Sequence, residues 1–342
     1  MKKSWVRLAA VLLLTFVFLY FFFRKVDWKA VLSYLTQVNV PLIILVVFMA
    51  PIHLATRGFR WKYLLRPEKR TIKFFNTFAA NAVGFTVTFI FPGRLGELAK
   101  PLYLAQKENI RKGYAIGTVV VERIFDMFTM CFLLGTFLMA RPLYSSFFKV
   151  QPEAYSHLRL WGIVGLAVAS ALLVISLSLY FFRDRTLKVI SFFLKPFPQG
   201  FSQKVLGLAQ EFIEGLKFFH SLGNVLVYTL LSFGVWLGIT LYYWVFFFAY
   251  HVHVPYFSLI PYIFLTMVGA SVPTPGMAGG YHYFSKLGMT SLYHIDPNLA
   301  LGMTIVVHAI QLVVTCGLGY AILWSEGLSL FQLKKLGENQ KP

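Results

Sequence analysis

Charged side chains are scarce in this chain of 342 residues, because Asp, Glu, Lys and Arg together make up only 13% of it. A soluble domain carries about 25% charged residues. Hydrophobic residues supply 58% of the chain and aromatic residues 18%. This composition excludes an intrinsically disordered chain, which combines low hydrophobicity with high net charge. We therefore expect an integral membrane protein whose helices pack within a bilayer.

Acidic residues are the scarcer of the two charged kinds, with 13 Asp and Glu against 32 Lys and Arg and a net charge of +19. In a soluble protein such a surplus would point to nucleic acid. Here the basic residues gather between apolar runs, which is typical of cytoplasmic loops that face anionic lipid. We expect membrane lipids, and no nucleic acid, as partners.

Cysteine and the common catalytic motifs are also lacking. Cys131 and Cys316 are the two cysteines and neither belongs to a CxxC pair, which excludes a disulfide framework and a cysteine zinc site. There is no HExxH, GxxxxGK[ST] or GxSxG motif, so nothing indicates a zinc protease, an ATPase or a serine hydrolase. The sequence predicts no metal and no cofactor; a zinc site is the less favoured alternative, and its ligands would be four histidines: His251, His253, His282 and His294.

Long apolar runs are what the chain has instead. A membrane-spanning helix needs about 20 mostly apolar residues. The first run has the basic start of a signal peptide but no cleavage site with small residues follows it, so we expect it to be retained. The predicted crossings are 8–23, 30–56, 113–140, 160–182, 222–250 and 297–325.

One apolar run does not fit a simple crossing. The basic segments 57–73 and 94–112 are separated only by the uncharged run 74–93. A full crossing would place one basic segment outside, against the positive-inside rule. A re-entrant hairpin at about 74–97, entered from the cytoplasm, keeps both inside. The run at about 256–290 is also interrupted, and we expect it to form a second hairpin entered from the outer side.

Proline and glycine mark the breaks in both hairpins, since neither residue continues a helix well. Both breaks contain the string P-G-x-x-G. The residues expected at the breaks are Pro92, Gly93 and Gly96 in the first hairpin, and Pro273, Pro275, Gly276 and Gly279 in the second.

The order of elements predicts an all-α polytopic membrane protein with six transmembrane helices and two re-entrant hairpins in an inverted repeat. The first repeat spans 1–150 and the second 151–342, each with three crossings and one hairpin. Both termini are then cytoplasmic, in the cell (inner) membrane. Inverted repeats with broken helices are typical of transporters. A simpler bundle of seven or eight ordinary crossings is the alternative.

Three charges lie in the middle of the run 113–140: Glu122, Arg123 and Asp126. Each charge at mid-membrane costs roughly 2.5–3.5 kcal/mol on insertion scales, so the three should face the bundle interior. Arg123 and Asp126 are three residues apart and can pair on one helix face. Glu122 and Asp126 share a face and need a further cation, for which we expect Arg94, while Glu97 meets Arg123. The cluster is predicted to bind a lipid phosphate or to pass protons; a structural ion-pair lock is the alternative.

Other polar residues are more ambiguous. Asn81 in the first hairpin either satisfies local backbone groups or contacts a ligand. Where the second crossing ends, we expect an interfacial anchor made by Arg57, Arg60, Trp61 and Lys62; capture of a lipid headgroup by the same residues is the alternative.

These residues resemble a known family. Asn81, the string 92–97 (PGRLGE) with Lys100, the charges of 122–126 and the string 273–276 (PTPG) are similar to the transmembrane region of the lysylphosphatidylglycerol synthase family. The resemblance covers about residues 8–325 and implies a flippase-like protein that moves lipids, aminoacylated phospholipids in some members, between leaflets. In that family the second hairpin commonly carries a Glu at the position of His282, which predicts a different headgroup or pH response here. Lysyl-lipid synthesis in the family uses a soluble transferase domain that these residues do not include.

We therefore expect a lipid flippase or translocase with a central polar cavity, and not an enzyme. Two alternatives remain open: an intramembrane enzyme acting on a lipid phosphate, and a non-transporting partner of a lipid-modifying or glycosyl transferase.

Overall fold

The computed structural model describes residues 29, 33, 38–91, 93–140, 152–216, 218, 221–272 and 274–328. The predicted first crossing, 8–23, lies outside the described residues, as do Pro92 and Pro273. In the described part of the chain all regular structure is helical and there is no strand. The α-helices are α1 (Val40–Leu65), α2 (Phe74–Ile90), α3 (Gly96–Glu108), α4 (Lys112–Met139), α5 (Pro152–Phe181), α6 (Arg183–Leu194), α7 (Gln199–Gly215), α8 (Leu222–Ala249), α9 (Ile260–Ser271), α10 (Gly280–Tyr293) and α11 (Pro297–Ser325).

Four of these helices, α1, α5, α8 and α11, are long and apolar enough to cross a membrane. Helix α4 has 28 residues, a sufficient length, but charges interrupt its apolar sequence. Large apolar side chains remain exposed on the outside of the bundle, as at Phe48, Leu230 and Val313. A bilayer solvates such surfaces, whereas a soluble protein rarely leaves so many together.

The first hairpin consists of α2 and α3, which pack antiparallel. Their backbones touch at Gly84 and Gly96, where a Cβ atom on Gly96 would lie 1.8 Å from the Gly84 carbonyl oxygen. At the tip, Gly93 and Arg94 have positive φ values of 78° and 54°, which reverses the chain. The hairpin is longer than predicted, because α3 continues to Glu108. The charged residues of α3 are typical of a cytoplasmic loop, which is why the sequence predicts that the hairpin ends at about residue 97.

The second hairpin, α9 and α10, repeats this design. Gly269 and Gly280 approach so closely that a Cβ atom on either would lie 2.5 or 2.4 Å from the carbonyl oxygen of the other. At the tip, Gly276 and Met277 have φ values of 61° and 54°. Two successive residues with positive φ therefore follow a proline in both hairpins.

The two hairpins open at opposite ends of the bundle. The open end of the first lies among basic loops, where Lys69 Nζ is 2.9 Å from Glu108 Oε2. At the opposite end, the Asn39 amide that precedes α1 donates to Ala249 at the end of α8 (2.8 Å). The second hairpin opens near that end, where the Tyr293 hydroxyl donates to the Ser258 carbonyl (2.8 Å).

The tips of the hairpins meet inside the bundle. Arg94 Nη1 donates to the Ala270 carbonyl at 3.5 Å. Gly276 faces the Phe89 carbonyl, with 3.4 Å between that oxygen and a Cβ atom built on the glycine. The two backbone breaks thus lie side by side.

The glycine contact predicts a selective loss of stability. Gly96→Ala should lower the unfolding free energy by about 1–3 kcal/mol through overpacking, because the new methyl group has no room against Gly84. Gly238→Ala is the matched control, since nothing lies within 4 Å of its Cβ position. Thermal unfolding of the purified protein in detergent measures both, and equal melting temperatures would contradict the close packing.

The carboxylate of Glu108 closes the open end of the first hairpin. It accepts hydrogen bonds from Lys69 Nζ, the Lys73 amide and Asn76 Nδ2 at 2.9, 2.9 and 2.7 Å. Burial raises the pKa of Glu108, but these bonds outweigh burial and hold the pKa below its ordinary value.

A lowered pKa predicts a pH-dependent contribution from Glu108. Its stabilisation is complete above the ordinary carboxyl pKa and is lost as the pH falls through the lowered value. Glu108→Gln should therefore reduce the unfolding free energy by about 1–2 kcal/mol at pH 7, and the difference from the wild type should shrink below about pH 4. Chemical unfolding across this pH range tests it, with Asp184→Asn, an exposed carboxyl, as the control. A constant difference would refute the assignment.

Candidate functional site

A buried ionic cluster links α1 to α4. The Arg60 guanidinium donates to Asp126 Oδ1 at 2.7 Å and to Glu122 Oε1 at 3.1 Å. Arg60 and Glu122 are completely buried. A buried charge is costly unless it is paired and hydrogen-bonded. The hydrogen bonds from Arg60 therefore explain how two carboxylates can lie in the middle of α4.

Lys100 completes the neutralisation from the first hairpin. Its ammonium lies 2.5 Å from Glu122 Oε2 and 4.2 Å from the centre of the Trp61 ring. The Trp61 indole in turn donates to the Thr118 hydroxyl at 3.0 Å. Helices α1, α3 and α4 are therefore joined by a connected set of charged and aromatic contacts.

The expectation of an interfacial anchor at the end of α1 is wrong. Arg57, Arg60 and Trp61 are buried, and only Lys62 of that set stays partly exposed. The signal that locates them is helical spacing: Leu54, Trp61 and Leu65 mark the buried face of α1. Arg57 lies on this face, and Arg60 lies one turn further along it.

The expected role of Arg94 is also corrected. Arg94 pairs with its own neighbour Glu97 at 2.6 Å, an i,i+3 contact within the hairpin tip. The cations that neutralise Glu122 come from α1 and α3. Arg123 contacts Glu122 Oε1 and Asp126 Oδ2, both at 3.3 Å, so its predicted pair with Asp126 is confirmed, whereas Glu97 pairs with Arg94.

Residues of α8 cover the cluster from the second half of the chain. The Trp236 indole donates to Asp126 Oδ1 at 3.0 Å, and the Ser232 hydroxyl accepts from Arg60 at 3.1 Å. Arg57 lies between the rings of Phe85 and Trp236, 5.6 Å from each centre, and 3.7 Å from Asp126. Nothing in the sequence indicates that α8 contacts the cluster, because Ser232 and Trp236 are common residues in an apolar helix.

A cavity of about 600 Å³ adjoins the cluster. Residues of both halves line it, and each hairpin tip contributes a side chain, Arg94 from the first and Met277 from the second. The charged residues in its wall are Arg57, Arg94, Glu97, Arg123 and Asp126.

Positive charge exceeds negative charge around this cavity. Among the described residues, the cluster and the cavity wall together hold five basic and three acidic side chains, a surplus of two positive charges: Arg57, Arg60, Arg94, Lys100 and Arg123 against Glu97, Glu122 and Asp126. In addition, the buried Nε atoms of Arg94 and Arg123 have no hydrogen-bond partner among the described residues. Both arginines line the cavity, so it suits an anion.

Two expected site residues lie elsewhere. Asn81 is buried within α2 and donates to the Thr77 carbonyl of its own helix at 3.0 Å. His282 is buried beside His308, with 4.6 Å between ring centres. Neither belongs to the described lining of the cavity. Glu122 lies behind it, within the ionic cluster.

A family model described as the lysylphosphatidylglycerol synthase TM region matches residues 5–319. The chain belongs to this family. A UPF0104 membrane protein of Methanocaldococcus jannaschii is 24% identical over 328 residues, which cover 94% of this chain and 95% of that protein. No solved structure matches.

Family membership makes this chain an integral membrane protein related to a lipid-synthase membrane region. The position of the ionic cluster then determines how severe a charge deletion should be. Removing one member of a buried pair leaves an uncompensated charge and typically costs about 3–5 kcal/mol.

Arg60→Met should therefore destabilise the protein strongly, because Glu122 and Asp126 both lose their one completely buried cation. Lys62→Met on the same helix is the control, with an expected change within about 0.5 kcal/mol. Unfolding of both variants in detergent micelles provides the comparison. If the two variants unfold alike, Arg60 is not the central cation.

Proposed function

We propose that this member of the family is a lipid translocase that carries a phosphate-bearing headgroup through the cavity while the acyl chains stay in the bilayer. The observation that carries the proposal is the surplus of positive charge around a cavity where two broken helices meet. A lipid phosphate supplies the missing negative charge, and arginine is well suited to bind it.

The proposed topology has six crossings and two re-entrant hairpins in an inverted repeat, with repeats 1–150 and 151–342. Three observations support it: the hairpins open at opposite ends, their tips share two successive residues with positive φ, and each is held by a glycine–glycine contact. We place the basic end, and with it both termini, in the cytoplasm of the cell (inner) membrane, following the positive-inside rule.

Exchange of ion-pair partners is the proposed mechanism. Arg123 and Arg94 are each about one-third exposed, at 31% and 29%. An entering phosphate can therefore reach their guanidinium groups and replace part of their contact with Asp126 and Glu97. The hairpin tips line the cavity and contact each other. In the proposed mechanism they separate when the headgroup passes, so that the cavity opens towards one end of the bundle or the other.

The enzyme alternative has less support. A general base needs a carboxylate that is available to take a proton. Glu122 and Asp126 are each held by at least two cations, and Glu97 is paired with Arg94.

We propose membrane lipids as the ligand, with a lipid-modifying or glycosyl transferase as the enzyme that supplies or consumes them.

Reconstitution tests the proposal. Purified protein in liposomes that contain fluorescent phospholipids should move them between leaflets faster than empty liposomes, as measured by quenching of the outer-leaflet dye. Arg123→Gln should lower the rate at least about tenfold, since a charge-assisted phosphate contact is worth about 1.5–3 kcal/mol. Its control is Arg185→Gln, a change at an exposed arginine of α6, which should transport at the wild-type rate.

Two results would count against a translocase. One is transport by the wild type no faster than by empty liposomes across a panel of anionic and neutral lipids. The other is an equal loss in the two arginine variants, because the cavity charge would then have no special role.

A further inference from the structure

We infer that the cavity has a second subsite, made by Tyr243, Tyr281 and Gln311, which binds the hydroxyl groups of a polyol headgroup. The inference rests on the proposed function and narrows its substrate class. The ligand would be a phosphodiester lipid whose headgroup ends in neutral hydroxyls rather than in an ammonium group.

The subsite is a hydrogen-bonded chain of neutral groups. The hydroxyls of Tyr243 and Tyr281 are 2.9 Å apart, and the Gln311 amide donates to Tyr243 Oη at 3.1 Å. The three side chains come from α8, α10 and α11, and all three line the cavity. Hydroxyl and amide groups both donate and accept, which matches a ligand hydroxyl.

A further tyrosine hydroxyl lies beside this chain. Tyr242 also lines the cavity, and its ring centre is 5.3 Å from that of Tyr243. The Tyr242 hydroxyl is buried and makes no hydrogen bond of normal distance and angle with the described residues, because its polar neighbour, the Gln311 amide, donates to Tyr243. An unsatisfied buried polar group costs free energy, so a ligand hydroxyl at this place would remove that cost.

Charge is distributed unevenly along the cavity wall. All of the charged residues among the described lining residues belong to the first part of the sequence, from Arg57 to Asp126. Of the described lining residues beyond Leu172, from Trp236 to Thr315, none is Asp, Glu, Lys or Arg. On α8, Tyr243 lies about two helical turns, or about 10 Å, beyond Trp236, whose indole donates to Asp126. The cavity therefore has an arginine end for phosphate and a neutral end for the rest of the headgroup.

This asymmetry disfavours a cationic headgroup. An ammonium group at the neutral end would find no carboxylate there and would be repelled by the positive surplus at the other end. A polyol needs only hydrogen bonds and apolar faces, which the tyrosines and Phe264 provide. The volume of about 600 Å³ lies within the usual range of ligand sites.

Binding of short-chain lipids to the full chain in detergent micelles tests the inference. The probes are dioctanoyl-phosphatidylglycerol, dioctanoyl-phosphatidylpropanol, which lacks the two free hydroxyls, and dioctanoyl-phosphatidylethanolamine. Wild-type protein should bind the glycerol lipid at least about tenfold more tightly than the propanol lipid, the effect of one to two hydrogen bonds. The ethanolamine lipid should bind most weakly.

Variants that keep the aromatic ring show whether the hydroxyls cause the preference. Tyr281→Phe and Tyr243→Phe should reduce the glycerol-over-propanol ratio to about three or less, with affinity for the propanol lipid unchanged. Tyr262→Phe is the matched control: its hydroxyl bonds Ser285 at 2.9 Å and lies outside the described cavity lining. This control should keep the wild-type ratio.

The outcomes separate this inference from the proposed function. Equal binding of the glycerol and propanol lipids by the wild type, or the same ratio in Tyr281→Phe and Tyr262→Phe, overturns the polyol subsite alone. Tighter binding of the ethanolamine lipid than of the glycerol lipid also overturns the polyol subsite. Absence of binding by every lipid overturns both the subsite and the lipid-binding cavity.

Discussion

The contact on which the rest of the structure depends is the Arg60 guanidinium between Glu122 and Asp126. A charged α4 is tolerated in the bilayer only if its two carboxylates are matched by cations from neighbouring helices. That requirement fixes α1 against α4 and brings Lys100, with the whole first hairpin, to the same place. The broken hairpin tips are then held next to a charged, accessible space, and the cavity follows from this arrangement.

Small residues have the complementary role. Unsatisfied backbone at membrane depth is tolerated where protein or water covers it. Gly84 against Gly96, and Gly269 against Gly280, let each hairpin close tightly enough to bury its own backbone. The ionic cluster thus positions the hairpins, and the glycine contacts make them compact enough to meet tip to tip.

The sequence predicted the helical class, the charged centre of α4 and the positions of both helix breaks, because apolar length, buried charge and the P-G strings are local signals. Partners were harder to predict. Arg60 and Lys100 lie 62 and 22 residues from Glu122 in the chain, and nothing in their immediate neighbourhood indicates which helix they face. The expected pairing of Arg94 with the acids of α4 is wrong because Arg94 pairs with Glu97, only three residues away.

The central claim is that the arginine end of the cavity binds a lipid phosphate. Cryo-electron microscopy of the protein in nanodiscs made of anionic phospholipid tests it most directly. The account predicts headgroup density in contact with Arg57 and Arg123, with acyl chains leading out into the bilayer. A well-ordered map in which these arginines contact only Asp126 and Glu122, and the cavity holds no lipid in any class of particles, would contradict it.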